Sequence, residues 1–404
     1  MASFGDGLAV EPDLIRAARD ATDQALAPLA GEAPDLVCVF VCAEDPDDVA
    51  AAAEVVLEES DAGVLLGCSA GGVIGASRGV EMLPSVSVWA AQLPGVNLSG
   101  FYLDAIHGTD SIAVVGMPDI EADAEVAVLL ADPYTFPADG FIEKSNELLP
   151  GLPIVGGLAT GLTGEGSTRL ILDDEVYDRG AVGVVINGTL GSDVAVRTLV
   201  SQGCRPIGPT LAVTKAVDNV LLELAGMPAL AKLEQILEDL PPSDQLLVQQ
   251  GLHIGITIDE YGEHHERGDF LVRQVIGADS VNDAVVIGDV VEVGQTVRFH
   301  VRDAHTAEED LRQMLAAFRE QAGIDPVEGA LLFSCNGRGA NLFATADHDV
   351  LAVQEGLKTR GVAGFFAAGE IGPVGGRNHV HGFTASILAF GTPTGRPALG
   401  ESHD

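Results

Sequence analysis

Two glycine-rich turns hold the side chains with the most chemistry to offer. Cys335-Asn336-Gly337-Arg338-Gly339 follows an apolar run at 330–334, and Gly369-Glu370-Ile371-Gly372 follows another at 364–366. A loop after a buried strand lies at a sheet's carboxyl edge, where α/β folds place ligands. Arg338 can clamp a carboxylate through two parallel N–H donors, and Glu370 can receive an ammonium group. Together they complement the two charges of an amino acid, or they pair with each other as a structural ion pair. Gly372, with Asn378 and His381 from Asn378-His379-Val380-His381, extends this candidate pocket. Cys68 and Ser69, from the earlier turn Gly67-Cys68-Ser69-Ala70-Gly71-Gly72, are further members.

Nucleophilic chemistry is the alternative. Cys335 and Cys68 stand in comparable loop positions, where glycine N–H groups are free to hold an oxyanion, and His381 or His379 is the available base. Against this, free cysteines mostly act as small apolar fillers. His379 and His381 alternate onto one face of a strand, but nothing else in the sequence completes a metal site, so none is assigned. His264 and His265 between Glu263 and Glu266 read as a solvated loop. No turn is G-x-x-x-x-G-K-[ST], so phosphate cradling is not indicated.

The elements that must position these residues recur. Strand, helix, strand, glycine turn and strand follow one another from residue 36, again from 126 and again from 330, which signals internal repetition. In the first copy Asp45 and Pro46 suit the N-cap and first helical position. In the second, Phe141, Ile142, Leu148 and Leu149 form an amphipathic face. A helix is predicted around 12–29. Between the second and third copies lie a helix at 228–240, a β-rich stretch that includes a strand at 246–248, and a helix opened by a capping box at Thr306. The reading is α/β, with two stacked mixed sheets and outer helices. Residues 1–194 and 195–391 form the two halves, and 392–404 form a flexible tail.

Composition bounds the function. Of 404 residues 47 % are hydrophobic and 49 are glycine, enough for one large or two medium globular domains. The 21 Lys and Arg face 60 Asp and Glu, a formal charge of -39, which repels nucleic acid and anionic lipid surfaces. Five scattered cysteines, no basic-then-apolar leader and no run of bilayer length point to a reducing cytoplasm.

These residues carry a family resemblance. Gly67–Gly75, Gly156-Gly157-Leu158-Ala159-Thr160-Gly161, Cys335–Gly339 and Gly364–Pro373 are similar to the motifs of FIST-domain proteins, N-terminal and C-terminal regions both, over residues 35–390. The resemblance implies a sensory module for small ligands such as amino acids. Relatives are often joined to a kinase, cyclase or methyl-accepting output, or to an F-box. The chain lacks room for such an output, so a separate signalling partner is expected. Some relatives sense nitric oxide through haem. Without a C-x-x-C-H sequence any haem here would be non-covalent, on a histidine.

Overall fold

The computed structural model describes residues 2–109, 111–188, 192–258 and 270–394. His264, His265 and the tail from 395 fall outside them. The chain forms two compact units: residues 1–200, 311–380 and 384–404 make the first, and 201–310 with 381–383 make the second.

In the first unit one wiring occurs three times. The first group comprises β1 (Ser3–Val10), α1 (Leu14–Leu26), β2 (Leu36–Cys42), α2 (Pro46–Ser60), β3 (Val64–Ser69), the hairpin β4 (Gly72–Gly75) and β5 (Arg78–Glu81), and β6 (Ser85–Gln92). The second comprises β7 (Asn97–His107), β8 (Ile112–Val115), β9 (Ala124–Ala131), α3 (Ala138–Leu148), β10 (Ile154–Leu158), the hairpin β11 (Leu170–Leu172) and β12 (Glu175–Tyr177), and β13 (Ala181–Asn187). The third opens with β14 (Ala195–Gln202) and resumes after the second unit's strands.

Those strands and helices are β15 (Cys204–Val217), β16 (Val220–Leu224), β17 (Met227–Pro228), α4 (Ala229–Asp239), α5 (Pro242–Gln250), β18 (Leu252–Thr257), β19 (Phe270–Asp279), β20 (Ala284–Ile287) and β21 (Thr296–Arg302). The third group then continues with α6 (Ala304–Gln321), β22 (Ile324–Cys335), α7 (Gly339–Phe343), α8 (His348–Leu357), β23 (Gly361–Ala367), the hairpin β24 (Glu370–Val374) and β25 (Arg377–His381), and β26 (Thr384–Pro393).

Each group pairs its two crossover strands in parallel, and the returning strand lies antiparallel on the other side. The hairpins change sheets in a cycle. The first group's β4 pairs with β23, the second's β11 with β3, and the third's β24 with β10. Each sheet is therefore completed by a hairpin from another group.

Alternation explains the layers. Leu36, Cys38 and Phe40 of β2, Val126, Val128 and Leu130 of β9, and Leu331 and Phe333 of β22 share one central core. The intervening Val37, Val39 and Val41 lie with α1 and α2 on the outer side. Trp89 is fully buried in the centre, and its indole N–H donates to the Gly361 carbonyl at 3.2 Å. Burying such side chains is worth about 1.5–3 kcal/mol each. The α/β class, mixed sheets and outer helices follow the sequence reading, and this unit carries three such sheets.

In the second unit β15 pairs with both β21 and β16, which closes an antiparallel sheet into a barrel filled by Ile207, Leu221, Ile254, Val285, Val297 and Phe299.

Local expectations changed at three places. Residues 3–10 are strand β1, because Gly5 and Gly7 leave room for the Ala25 and Ala21 carbonyls of α1, which any Cβ would strike. Residues 246–248 are helical, since Pro242 opens α5 from its first turn. Asp303, not Thr306, caps α6: its carboxylate accepts the His305 N–H at 3.2 Å and the Thr306 hydroxyl at 2.6 Å. Asp45 caps α2 as expected, with the Asp47 N–H donating to it at 2.9 Å.

Candidate functional site

The strand register sets three positions in correspondence. Val41 lies beside Ser69 and Val86, Ala131 beside Leu158 and Ala181, and Ser334 beside Phe366 and Ala385. The next residues along, Cys42, Asp132 and Cys335, therefore occupy the same carboxyl-edge position in the three sheets. Cys68 does not correspond to Cys335. It lies within β3, one residue after Gly67, and matches Phe365, which follows Gly364. Glycines 67, 156 and 364 are forced, since a Cβ at each would collide with the carbonyl oxygen of Val39, Leu129 or Leu332.

The third position carries the densest charge. Arg338, fully buried at the start of α7, donates through Nε to Asp349 Oδ2 at 2.7 Å and through Nη2 to Asp349 Oδ1 at 2.9 Å. Ser334 Oγ donates to Asp349 Oδ2 at 2.7 Å, and His348 Nδ1 lies 2.9 Å from Oδ1. The Arg338 guanidinium also stands over the Phe343 ring, 5.1 Å from its centroid. Burial alone would raise the Asp349 pKa, but Arg338 and these hydrogen bonds hold it well below the ordinary carboxylate range.

The bidentate carboxylate that the sequence assigned to a ligand, or to Glu370, is thus Asp349. The first turn of α8 carries it back over the Cys335–Gly339 loop.

Glu370 begins β24 and is fully buried. Its Oε2 accepts the Thr384 N–H at 3.0 Å and the Thr384 hydroxyl at 2.8 Å. Desolvation pushes its pKa up to about 8, against the smaller lowering from Thr384, the Cys335 thiol and Arg338. Its Oε1 has no hydrogen-bond partner at ordinary geometry. The Gly337 N–H donates to Cys335 Sγ at 3.4 Å. Cys335, Arg338 and Glu370 therefore meet in one buried cluster, with the carboxylic acid neutral near pH 7.

The other expected members are placed differently. Gly372 is a packing glycine whose missing Cβ admits Val200 and Ser386. Asn378 is used by the backbone: Oδ1 accepts the Ile154 N–H and Nδ2 donates to the Leu152 carbonyl, both at 2.8 Å. His379 lies half-buried on β25, and His381 belongs to the second unit with Gly382 and Phe383. Ser69 Oγ accepts the Arg169 N–H at 3.2 Å. Burial raises the Cys68 thiol pKa well above its ordinary value, aided by nearby Cys38, so Cys68 is a core thiol.

Cavities of about 810, 360, 400 and 200 Å³ open elsewhere. The 400 Å³ cavity sits at the first carboxyl-edge position, with Cys42 in its wall beside Pro46 of α2. None of these four carries a histidine, so the residues present there do not fit an imidazole-ligated haem. No helix among the described residues is long and apolar enough to cross a membrane.

Asp349, Ser334 and Thr384 were not anticipated from the sequence. The only signal for Asp349 was an acid in the first turn of the helix after the loop.

Comparison with known proteins gives the family. The FIST N domain profile matches residues 35–227 and the FIST C domain profile matches residues 229–373. An uncharacterized protein of Mycobacterium bovis is 42 % identical over 388 residues, 96 % of this chain and 98 % of the relative. An uncharacterized protein of Mycobacterium tuberculosis is 41 % identical over 388 residues, 96 % of this chain and 99 % of the relative.

Proposed function

Because this chain belongs to the FIST family, whose domains are in general sensory and signalling domains, we propose that it senses an amino-acid-like ligand and reports through a separate protein. The observation that carries the reading is Glu370 Oε1, a carboxyl oxygen of a fully buried residue with no hydrogen-bond partner, at the start of β24 just past the carboxyl end of β23. A buried polar atom left unpaired costs about 1–3 kcal/mol, and a ligand ammonium would pair with this oxygen in the carboxylate form.

The cluster is closed, so a ligand enters only as the hairpin β24–β25 or the short helix α7 shifts. Coupling of occupancy to movement is what a sensor requires. Glu370 holds a proton below about pH 8. An ammonium selects the carboxylate, so binding expels that proton. Affinity therefore falls about ten-fold for each pH unit below 8. The Arg338–Asp349 pair fixes the field around the carboxyl and releases Arg338 only if a ligand carboxylate displaces Asp349.

Native mass spectrometry of the purified protein identifies any retained ligand. A thermal-shift screen of the free L-amino acids at pH 7 and pH 8.5 tests the site. The reading expects at least one amino acid to raise Tm, more strongly at pH 8.5, with the effect lost in Glu370→Gln. Stabilisation that survives Glu370→Gln, or no stabilisation by any amino acid at millimolar concentration, overturns it.

A further inference from the structure

Two of the three sheets in the first unit carry a pair of helices on the outer face. α1 follows β1 and packs on β1, β6 and α2. α6 is the next helix of the third group after β14, once the second unit's elements have intervened, and its Leu311, Leu315 and Phe318 pack with Leu199 of β14, Ile387 of β26 and Val353 of α8. The strand register makes β7, β13 and α3 the corresponding elements of the remaining sheet. There β7 is followed by the short edge strand β8 and a connector at 116–123 instead of a helix.

Met117 and Ile120 of that connector reach the core beneath α3. They fill only part of the helix position. A groove of about 810 Å³ stays open between β8, the connector and α3, lined by Ile112, Val114, Met117, Phe141, Leu148 and Leu149. Its apolar walls are uncovered: Leu148 is 67 % exposed and Ile112 50 %.

We propose that this groove docks one amphipathic helix of a separate protein, basic along the flanks of its apolar stripe. The sister sheets fill the matching position with helices, and an apolar groove beside a lone helix suits the i, i+3, i+4 anchors of one more. Charge sets the flanks. Asp119, Glu121, Asp139 and Glu143 are exposed on the connector and α3, while Lys144, which lines the groove, is paired with Glu147 at 2.5 Å. The chain's formal charge of -39 attracts the same partner at long range. A basic helix docked here would press on α3, whose Asn146 exchanges two 2.8 Å hydrogen bonds with the backbone of Asn378 on β25. Through Asn146, α3 thus links the groove to the hairpin that carries Glu370.

The test uses the full chain and a fluorescein-labelled synthetic peptide the length of α6, with Leu and Ala on one helical face and Lys elsewhere. A scrambled peptide of the same composition has no apolar face. Fluorescence anisotropy at physiological salt should show saturable one-to-one binding of the first peptide. The scrambled peptide should bind about ten-fold or more weaker, as should the first peptide to Leu148→Asp or Ile112→Asp. Both positions are exposed, so unchanged thermal melting of the variants certifies their fold. Equal binding of the two peptides, or wild-type affinity in both variants, overturns the proposal. So does a dimer of the chain that Leu148→Asp dissolves, which would assign the groove to a second copy.

Discussion

Thr160 Oγ1 donates to the carbonyl oxygen of Phe366 at 2.7 Å, and the same hydroxyl accepts the Gly71 N–H at 2.8 Å. The Thr160 N–H in turn donates to the Ser69 carbonyl at 3.3 Å. One threonine thus ties the glycine turns of all three sheets together. Gly161 beside it is held at φ +94°, pressed against Ala70 and Gly71 so closely that no side chain fits.

Thr160→Val keeps the shape and removes the hydroxyl, leaving the Phe366 carbonyl and the Gly71 N–H without this partner. The expected loss is about 1–3 kcal/mol, read as a lower urea midpoint at unchanged slope. Thr160→Ser keeps the hydroxyl and should lose less than half as much. Equal losses would show that the methyl group, not the hydrogen bonds, holds the turns.

Asp349→Asn tests the buried ion pair. It leaves the Arg338 guanidinium without its counter-charge, an expected cost of about 3–5 kcal/mol. Replacing both partners, as Arg338→Met with Asp349→Leu, should recover most of that loss because no buried charge remains. Chemical denaturation of the two variants checks the contrast. A double variant as unstable as the single one would mean that Ser334 and His348, bereft of Asp349, dominate the cost.

The barrel unit has its own pH response. His253 and His300 are cross-strand neighbours on β18 and β21. Burial pushes each down to about 4, helped at His253 by the Arg302 charge and at His300 by the charges of Arg298 and His253, against the hydrogen bond of His300 to the Arg298 carbonyl. Both are neutral in the fold, and the unfolded chain takes up protons first as pH falls. Stability is therefore full above about 6.5 and lost progressively toward 4, by up to about 3 kcal/mol per histidine. Hydrogen exchange in β18 and β21 should quicken across that window. His253→Phe should remove about half of the pH dependence, and an unchanged profile would sink the assignment.

Much of the architecture was legible because it follows local rules. Leu36–Cys42 alternates between two apolar faces, Asp45-Pro46 starts α2, and the spacing of the glycine turns marks the recurring groups. Legibility failed where a neighbour decided. No strand is read at residues 3–10 from the sequence, where Gly5 and Gly7 make sense only once α1 lies on them. Leu148 reads as part of a core-facing stripe, yet it is exposed because the sheet lacks a second helix to cover it.

The same division holds at the site. By itself the sequence determined that Cys335, Arg338 and Glu370 stand at strand ends beside glycines, because strand periodicity and turn chemistry act over a few residues. Only the tertiary structure decided their states. Asp349 lies eleven residues from Arg338, and Thr384 fourteen from Glu370. Whether they meet depends on how α8 and β26 return to the sheet. Burial, which holds Glu370 neutral, and the Arg338 pairing, which keeps Asp349 charged against its own burial, are properties of everything packed around them.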